Sequence, residues 1–258
     1  MARWLRLGWA FGLLLCLSAV AAAESVPILV YHRFGPTVAD SMTVRTEVFA
    51  AHLRYLKAQG YQVVPLHDVV DALRTGSPVL PAKAVVISVD DGHHSVYTQM
   101  LPLVQRYQIP VTLFIYPSAI SNASYAMTWE QLRALQQSGW FSIQSHTYWH
   151  PNFKQEKRRL TPAAYRDLVQ MQLLRSKQKL EQTLGIQADL LAWPFGIYDD
   201  DLQQQARDSG YVAAFSIDGR SASRSDPLLA LPRFLMADRI DERALATLLR
   251  QSSKPSEP

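Results

Sequence analysis

The feature that most constrains this chain is a recurrence of short, continuous apolar runs separated by amphipathic stretches. Val26 to Tyr31 reads VPILVY, Ala84 to Val89 reads AVVISV, and Val111 to Tyr116 reads VTLFIY. A strand with one wet face alternates apolar and polar side chains, so a run without alternation belongs to a strand covered on both faces. Helical patterns lie between these runs. Thr46 reads as the cap of a helix with Phe49, Leu53 and Leu56 on one face and Gly60 past its end. Thr128 and Gln131 make a capping-box pattern for a helix to Gln137, and Thr161-Pro162 opens a long helix that Gly185 ends. Further strands are expected at 61–66, 140–145, 190–193, 211–217 and 231–236. Further helices are expected at 67–74, 95–107 (distorted by Pro102), 199–209 and 242–250. Such alternation requires a mostly parallel sheet with crossover helices. About seven or eight units predict an α/β fold built as a distorted or incomplete (β/α) barrel.

The N-terminal segment stands apart from this pattern. Arg3 and Arg6 precede an uncharged apolar run from Leu7 to Val20, and Ala21-Ala22-Ala23 supplies small residues for cleavage. Residues 1–23 are therefore expected to be a secretory signal peptide, with an uncleaved anchor as the alternative; the run is short for a bilayer span of about 20 residues. The expected domain is then 24–251, with 252–258 a disordered tail and the protein periplasmic or secreted. Removing the signal takes two arginines and no acid, so the net charge falls from +4 to +2 and the case for a nucleic-acid partner weakens. The single cysteine, Cys16, leaves with it, so any metal must be held by His and carboxylate groups. No other segment is apolar enough to span a membrane.

In parallel α/β folds the chemistry sits at the carboxyl ends of the strands. Asp90-Asp91-Gly92 follows AVVISV directly. Adjacent carboxylates at the end of a buried strand repel each other and resist desolvation, and a cation or a shared proton relieves this. The alternative is a capping pair for the next helix. His146 and His150, in HTYWHP, follow the strand read as WFSIQS. They can share one ion only if the chain curls after His146, since four extended steps span roughly 13 Å; otherwise they are unrelated surface histidines. One Asp with two His leaves an open coordination position, the pattern of a catalytic metal.

SVDDG, HTYWHP and LLAWPFGIYD, in that order, resemble the motifs of the carbohydrate esterase family 4 polysaccharide deacetylases, and VPILVYHRF resembles the poly-β-1,6-N-acetylglucosamine deacetylases among them. The resemblance implies a distorted barrel and metal-dependent removal of N-acetyl groups from an N-acetylhexosamine polysaccharide. It implies Asp90 as general base and Asp91, His146 and His150 as ligands of one divalent ion, with zinc expected and cobalt, nickel or iron as alternatives.

Two family features are missing. Ala192 stands where many members carry a base-orienting Arg, and no His follows His150 to serve as general acid. His32, at the end of the first strand, is the candidate acid, and Arg233 the candidate base-orienting residue. Trp193 and Tyr148 are candidates for stacking on sugar rings. The alternatives are a weakly active or inactive glycan-binding protein on the same scaffold, and a deacetylase of peptidoglycan or another envelope sugar.

Overall fold

The computed structural model describes residues 25–251. The expected signal segment, Cys16 and the expected tail lie outside the described residues. Eight strands form the main sheet: β1 (Ile28–Tyr31), β2 (Gln62–Val63), β3 (Ala84–Asp90), β4 (Val111–Ile115), β5 (Phe141–Ser145), β6 (Leu190–Ala192), β7 (Ala213–Phe215) and β8 (Phe234–Leu235). Their order is β7-β6-β5-β4-β3-β1-β8, with β2 added to the start of β3, and every ladder is parallel. The helices are α1 (Thr46–Ala58), α2 (Leu66–Thr75), α3 (Leu101–Tyr107), α4 (Trp129–Gln137), α5 (Phe153–Arg159), α6 (Pro162–Leu184), α7 (Asp200–Asp208) and α8 (Glu242–Gln251). Among the described residues no helix is long and apolar enough to cross a membrane.

The sheet curls into an open half-barrel, the distorted (β/α) barrel expected from the alternation. Its two edges are bridged by one segment. Leu231 pairs with Phe215 of β7, and Phe234–Leu235 pair with Leu29–Val30 of β1. Arg233 sits in the middle of that seam.

The buried runs alternate between two cores, as the period of two demands. In β3, Val85, Ile87 and Val89 join Phe49, Leu53 and Leu132 under the helices, while Ala84 and Val86 join Phe114 and Phe215. Each fully buried Val, Ile or Leu contributes roughly 1.5–3 kcal/mol. Ser88 and Asp90 continue the second face, so the inward polar pair follows from the register that buries the valines.

Local differences from the sequence reading have physical causes. Thr46 does not cap α1; it is the first helical residue, and its Oγ1 donates to the Gly35 carbonyl. The strands at 61–66, 211–217 and 231–236 are only two or three residues long. Ahead of Pro102 the helix is π-wound over Val96–Met100, and the Leu101 N–H reaches the Val96 carbonyl. Proline offers no N–H to the turn before it, and the wider winding accommodates that loss. The basic run Lys154, Lys157, Arg158 and Arg159 after His150 lies on α5, which the Asn152 side chain caps.

Candidate active site

Asp90 is the last residue of β3, and its carboxylate points into the barrel. Arg233 reaches it from the seam with two hydrogen bonds, Nη1 to Oδ1 at 2.8 Å and Nη2 to Oδ2 at 2.7 Å. The arginine is fully buried. Its Nε donates to the Ser216 carbonyl, and its guanidinium lies over Phe114 and Phe215. Burial alone would raise the Asp90 carboxyl; the Arg233 charge, then His146, outweighs it and holds the carboxyl down to about 2.

Asp91 and Gly92 both take left-handed backbone, at φ +77° and +79°. Asp tolerates that region, and at Gly92 a Cβ would press on Ile115 and Ile120 at 3.0 and 3.1 Å. Asp91 thereby meets the two histidines: its Oδ1 lies 3.6 Å from His146 Nε2 and 3.8 Å from His150 Nε2. His146 and His150 come together without the helical curl expected of them. Thr147 and His150 each adopt φ +65°, making a tight, strained turn. Gln172 of α6 holds that turn, its buried Oε1 accepting from the Tyr148 and Trp149 N–H groups at 3.1 and 2.9 Å. The sequence reading passed over Gln172, because nothing in the α6 pattern distinguishes it from its other glutamines.

The cluster suits a divalent ion. The ligand atoms of Asp91, His146 and His150 all lie within 4.8 Å of one another. Bonds of about 2.1 Å in tetrahedral directions place ligand atoms roughly 3.4 Å apart, close to the two Asp91 distances. His146 Nδ1–H donates to the Ala192 carbonyl at 2.7 Å, which leaves its Nε2 lone pair facing the cluster. Burial, then His146, pushes His150 down to about 4, so its ring is neutral near pH 7.

His32, at the end of β1, faces the same cluster. Burial lowers its pKa, with Asp90 and Asp91 opposing, and its buried Nδ1 has no hydrogen-bond partner. The two aromatic candidates fare differently. Trp193 is 1% exposed and packed in the core, with its Nε1 donating to the Leu229 carbonyl, so it cannot stack on a sugar. The expectation for Trp193 is corrected: one residue past β6 it follows Leu191 onto the helix-covered face of the sheet, where its ring packs with Phe153, Val169 and Leu202. Tyr148 is half-buried, with the Arg175 guanidinium 4.2 Å from its ring centroid. Among the described residues the most exposed aromatics are Phe195 at 56% and Trp149 at 44%. Phe195 packs edge-on to His150 at 4.6 Å, and Tyr116 stands 5.4 Å from the same ring. Phe195 and Gly196 are both left-handed, and at Gly196 a Cβ would come 2.5 Å from Ile217 Cγ1. The WPFG motif thus signalled the aromatic wall, with Phe195 rather than Trp193 forming it.

Known proteins resemble this chain in sequence and fold. The sequence profile for polysaccharide deacetylases matches residues 78–214, just over half of the chain. The chain is 26% identical over 244 residues to the poly-beta-1,6-N-acetyl-D-glucosamine N-deacetylase of Escherichia coli (strain K12), covering 81% of this chain and 36% of that one. It is 21% identical over 201 residues to the protein of the same name from Staphylococcus aureus (strain MRSA252), covering 76% and 68%. The chain therefore spans little more than a third of the length of its E. coli relative. Among solved structures, the Streptococcus pyogenes deacetylase PplD in complex with acetate superposes with a TM-score of 0.77 at 25% identity, over 90% of this chain and 99% of that one. IcaB from Ammonifex degensii shares the fold, with a TM-score of 0.75 at 24% identity over 89% and 98%. Motif order, matched profile and shared barrel converge, and the chain belongs to the polysaccharide deacetylase family.

Proposed function

We propose that this protein is an exported, metal-dependent hydrolase that removes N-acetyl groups from an N-acetylhexosamine polysaccharide. The observation that carries the reading is the juxtaposition of an Asp91–His146–His150 cluster with a second carboxylate, Asp90, held ionised beside it by Arg233. Poly-β-1,6-N-acetylglucosamine is the reference substrate, since the E. coli and S. aureus relatives are named for it. Export rests on the N-terminal segment of the sequence.

Asp91, His146 and His150 would hold the ion, zinc being the first to test. A divalent ion there supplies Lewis acidity, lowering the pKa of water and polarising the acetamide carbonyl. Asp90 accepts the proton of the attacking water; its 3.8 Å approach to His146 Nε2 places it at the cluster's edge. Arg233 fixes the carboxylate's orientation, the role many relatives give to an Arg where this chain has Ala192. Water adds to the carbonyl carbon, the carbon–nitrogen bond breaks, and the departing amine takes a proton from His32. Burial lowers its pKa, so the protonated imidazole gives up its proton readily but is the minor form near neutral pH. Trp149 and Phe195 offer exposed rings for the sugar faces.

The test is acetate release from N-acetylglucosamine oligomers, β-1,6- and β-1,4-linked, and from peptidoglycan, with zinc, cobalt or nickel supplied. Release that Asp90→Asn abolishes while metal is retained is expected. His32→Ala should slow turnover without loss of metal, and Asp91→Ala should lose the metal. No acetate from any substrate would overturn the reading in favour of a glycan-binding protein.

A further inference from the structure

Beside the cluster lies a second concavity of about 470 Å3, which the catalytic roles leave unused. That volume is ordinary for a small-molecule site. It adjoins the cluster directly: Gly196 lines it, and the neighbouring Phe195 packs against His150. Ile197 and Tyr198 supply apolar surface, Lys154, Lys157 and Arg158 of α5 supply positive charge, and Asp199 supplies a carboxylate.

These three cations are not equivalent. Lys157 is neutralised by Asp199 at 2.7 Å and Asp201 at 3.4 Å. Lys154 and Arg158 are exposed and, among the described residues, have no carboxylate partner. Tyr165 is only 5% exposed, yet its buried hydroxyl has no hydrogen-bond partner. A buried polar atom left unpaired beside a pocket marks a place where a ligand or water completes the bonding. Apolar surface, an orphan hydroxyl and two free cations match a sugar ring that bears an acid.

We infer that this pocket binds a carboxylate-bearing sugar unit flanking the one that is deacetylated. Arg158 offers a planar fork to the two carboxylate oxygens, and Lys154 adds a second charge. The inference rests on the polysaccharide reading above and narrows it, from a neutral homopolymer to a polymer in which acidic units accompany the N-acetylhexosamines. Such a polymer keeps its attraction to α5 as deacetylation adds positive charge to it.

The test compares binding of two tetrasaccharides by calorimetry with the full-length protein. One is neutral chitotetraose; the other is a hyaluronan tetrasaccharide, in which N-acetylglucosamine alternates with glucuronate. Two exposed charge pairs predict roughly fivefold tighter binding of the acidic oligomer at low salt, shrinking as salt is raised. In Lys154→Ala/Arg158→Ala the preference should vanish while chitotetraose binds as before, which also shows that the variant is folded. Equal binding of the two oligomers by wild type, or a preference that survives in the variant, would overturn the inference. Acetate release is scored separately. Turnover of chitotetraose without any acidic preference removes the pocket assignment and spares the deacetylase reading; an acidic preference without acetate release from any substrate does the reverse.

Discussion

Arg233 shows how much one residue carries. Its guanidinium is fully buried, and the charge is tolerable only because Asp90 and the Ser216 carbonyl take up its donors. Breaking such a pair costs about 3–5 kcal/mol, so Arg233→Met should lower the unfolding free energy by about that amount, measured by urea denaturation. It should also raise the Asp90 pKa. A base works only when ionised, so the acid limb of the kcat/KM profile should move to higher pH. Arg233→Lys, keeping the charge, should restore part of that shift, and an unmoved acid limb in Arg233→Met would refute the positioning role. The sequence offered Arg233 as a candidate once Ala192 stood in place of the family Arg. It placed Trp193 on the wrong side of the wall because tryptophan is read equally well as core or as stacking surface.

At the scale of elements, two contacts made across the fold position the site and its frame. Gln172 ties α6 to the turn between His146 and His150. Gln172→Leu leaves two N–H groups without an acceptor, at about 1–3 kcal/mol each, and loosens a turn that already holds two left-handed residues. Zinc affinity should fall roughly 10–100-fold by calorimetry, with Gln172→Glu recovering most of it. Wild-type affinity in the Leu variant would rule this out. On the opposite end of the barrel, His67 of α2 meets Asp189, just before β6, at 2.8 Å. The Asp189 hydrogen bond raises the His67 pKa, and although burial opposes, the hydrogen bond from His67 lowers that of Asp189. A raised His pKa stabilises below the unfolded value of about 6.5 and is lost as pH rises through the folded value; a lowered Asp pKa stabilises above about 3.9. The clip is therefore strongest between those values. His67→Gln should cost up to about 0.5 kcal/mol at pH 5.5 and less at pH 8.5, the pair being partly exposed. A cost that grows with pH would contradict the assignment. Both contacts join residues far apart in sequence, so neither shows in a local pattern.

For the whole molecule, the cluster draws on β3 and the turn after β5, and so forms only when the barrel does. Binding to the folded state alone adds about 2.7 kcal/mol at a hundred times Kd, which corresponds to roughly 5–10 °C in Tm for a domain of this size. Zinc should raise Tm by that amount, chelation should reverse it, and Asp91→Ala should show no shift. An unshifted wild-type Tm would argue against the ion site. The parallel α/β class, the main strands and the order of DDG, HTYWHP and WPFG were legible in the sequence alone, because continuous apolar runs, caps and motif spacing are local signals. Only the tertiary structure decided that His146 and His150 meet through a strained turn, that Arg233 occupies the seam against Asp90, that Phe195 rather than Trp193 is exposed, and that α5 borders a pocket. Each depends on which distant groups the curled sheet brings within hydrogen-bond reach, and neither side-chain period nor local propensity carries that information.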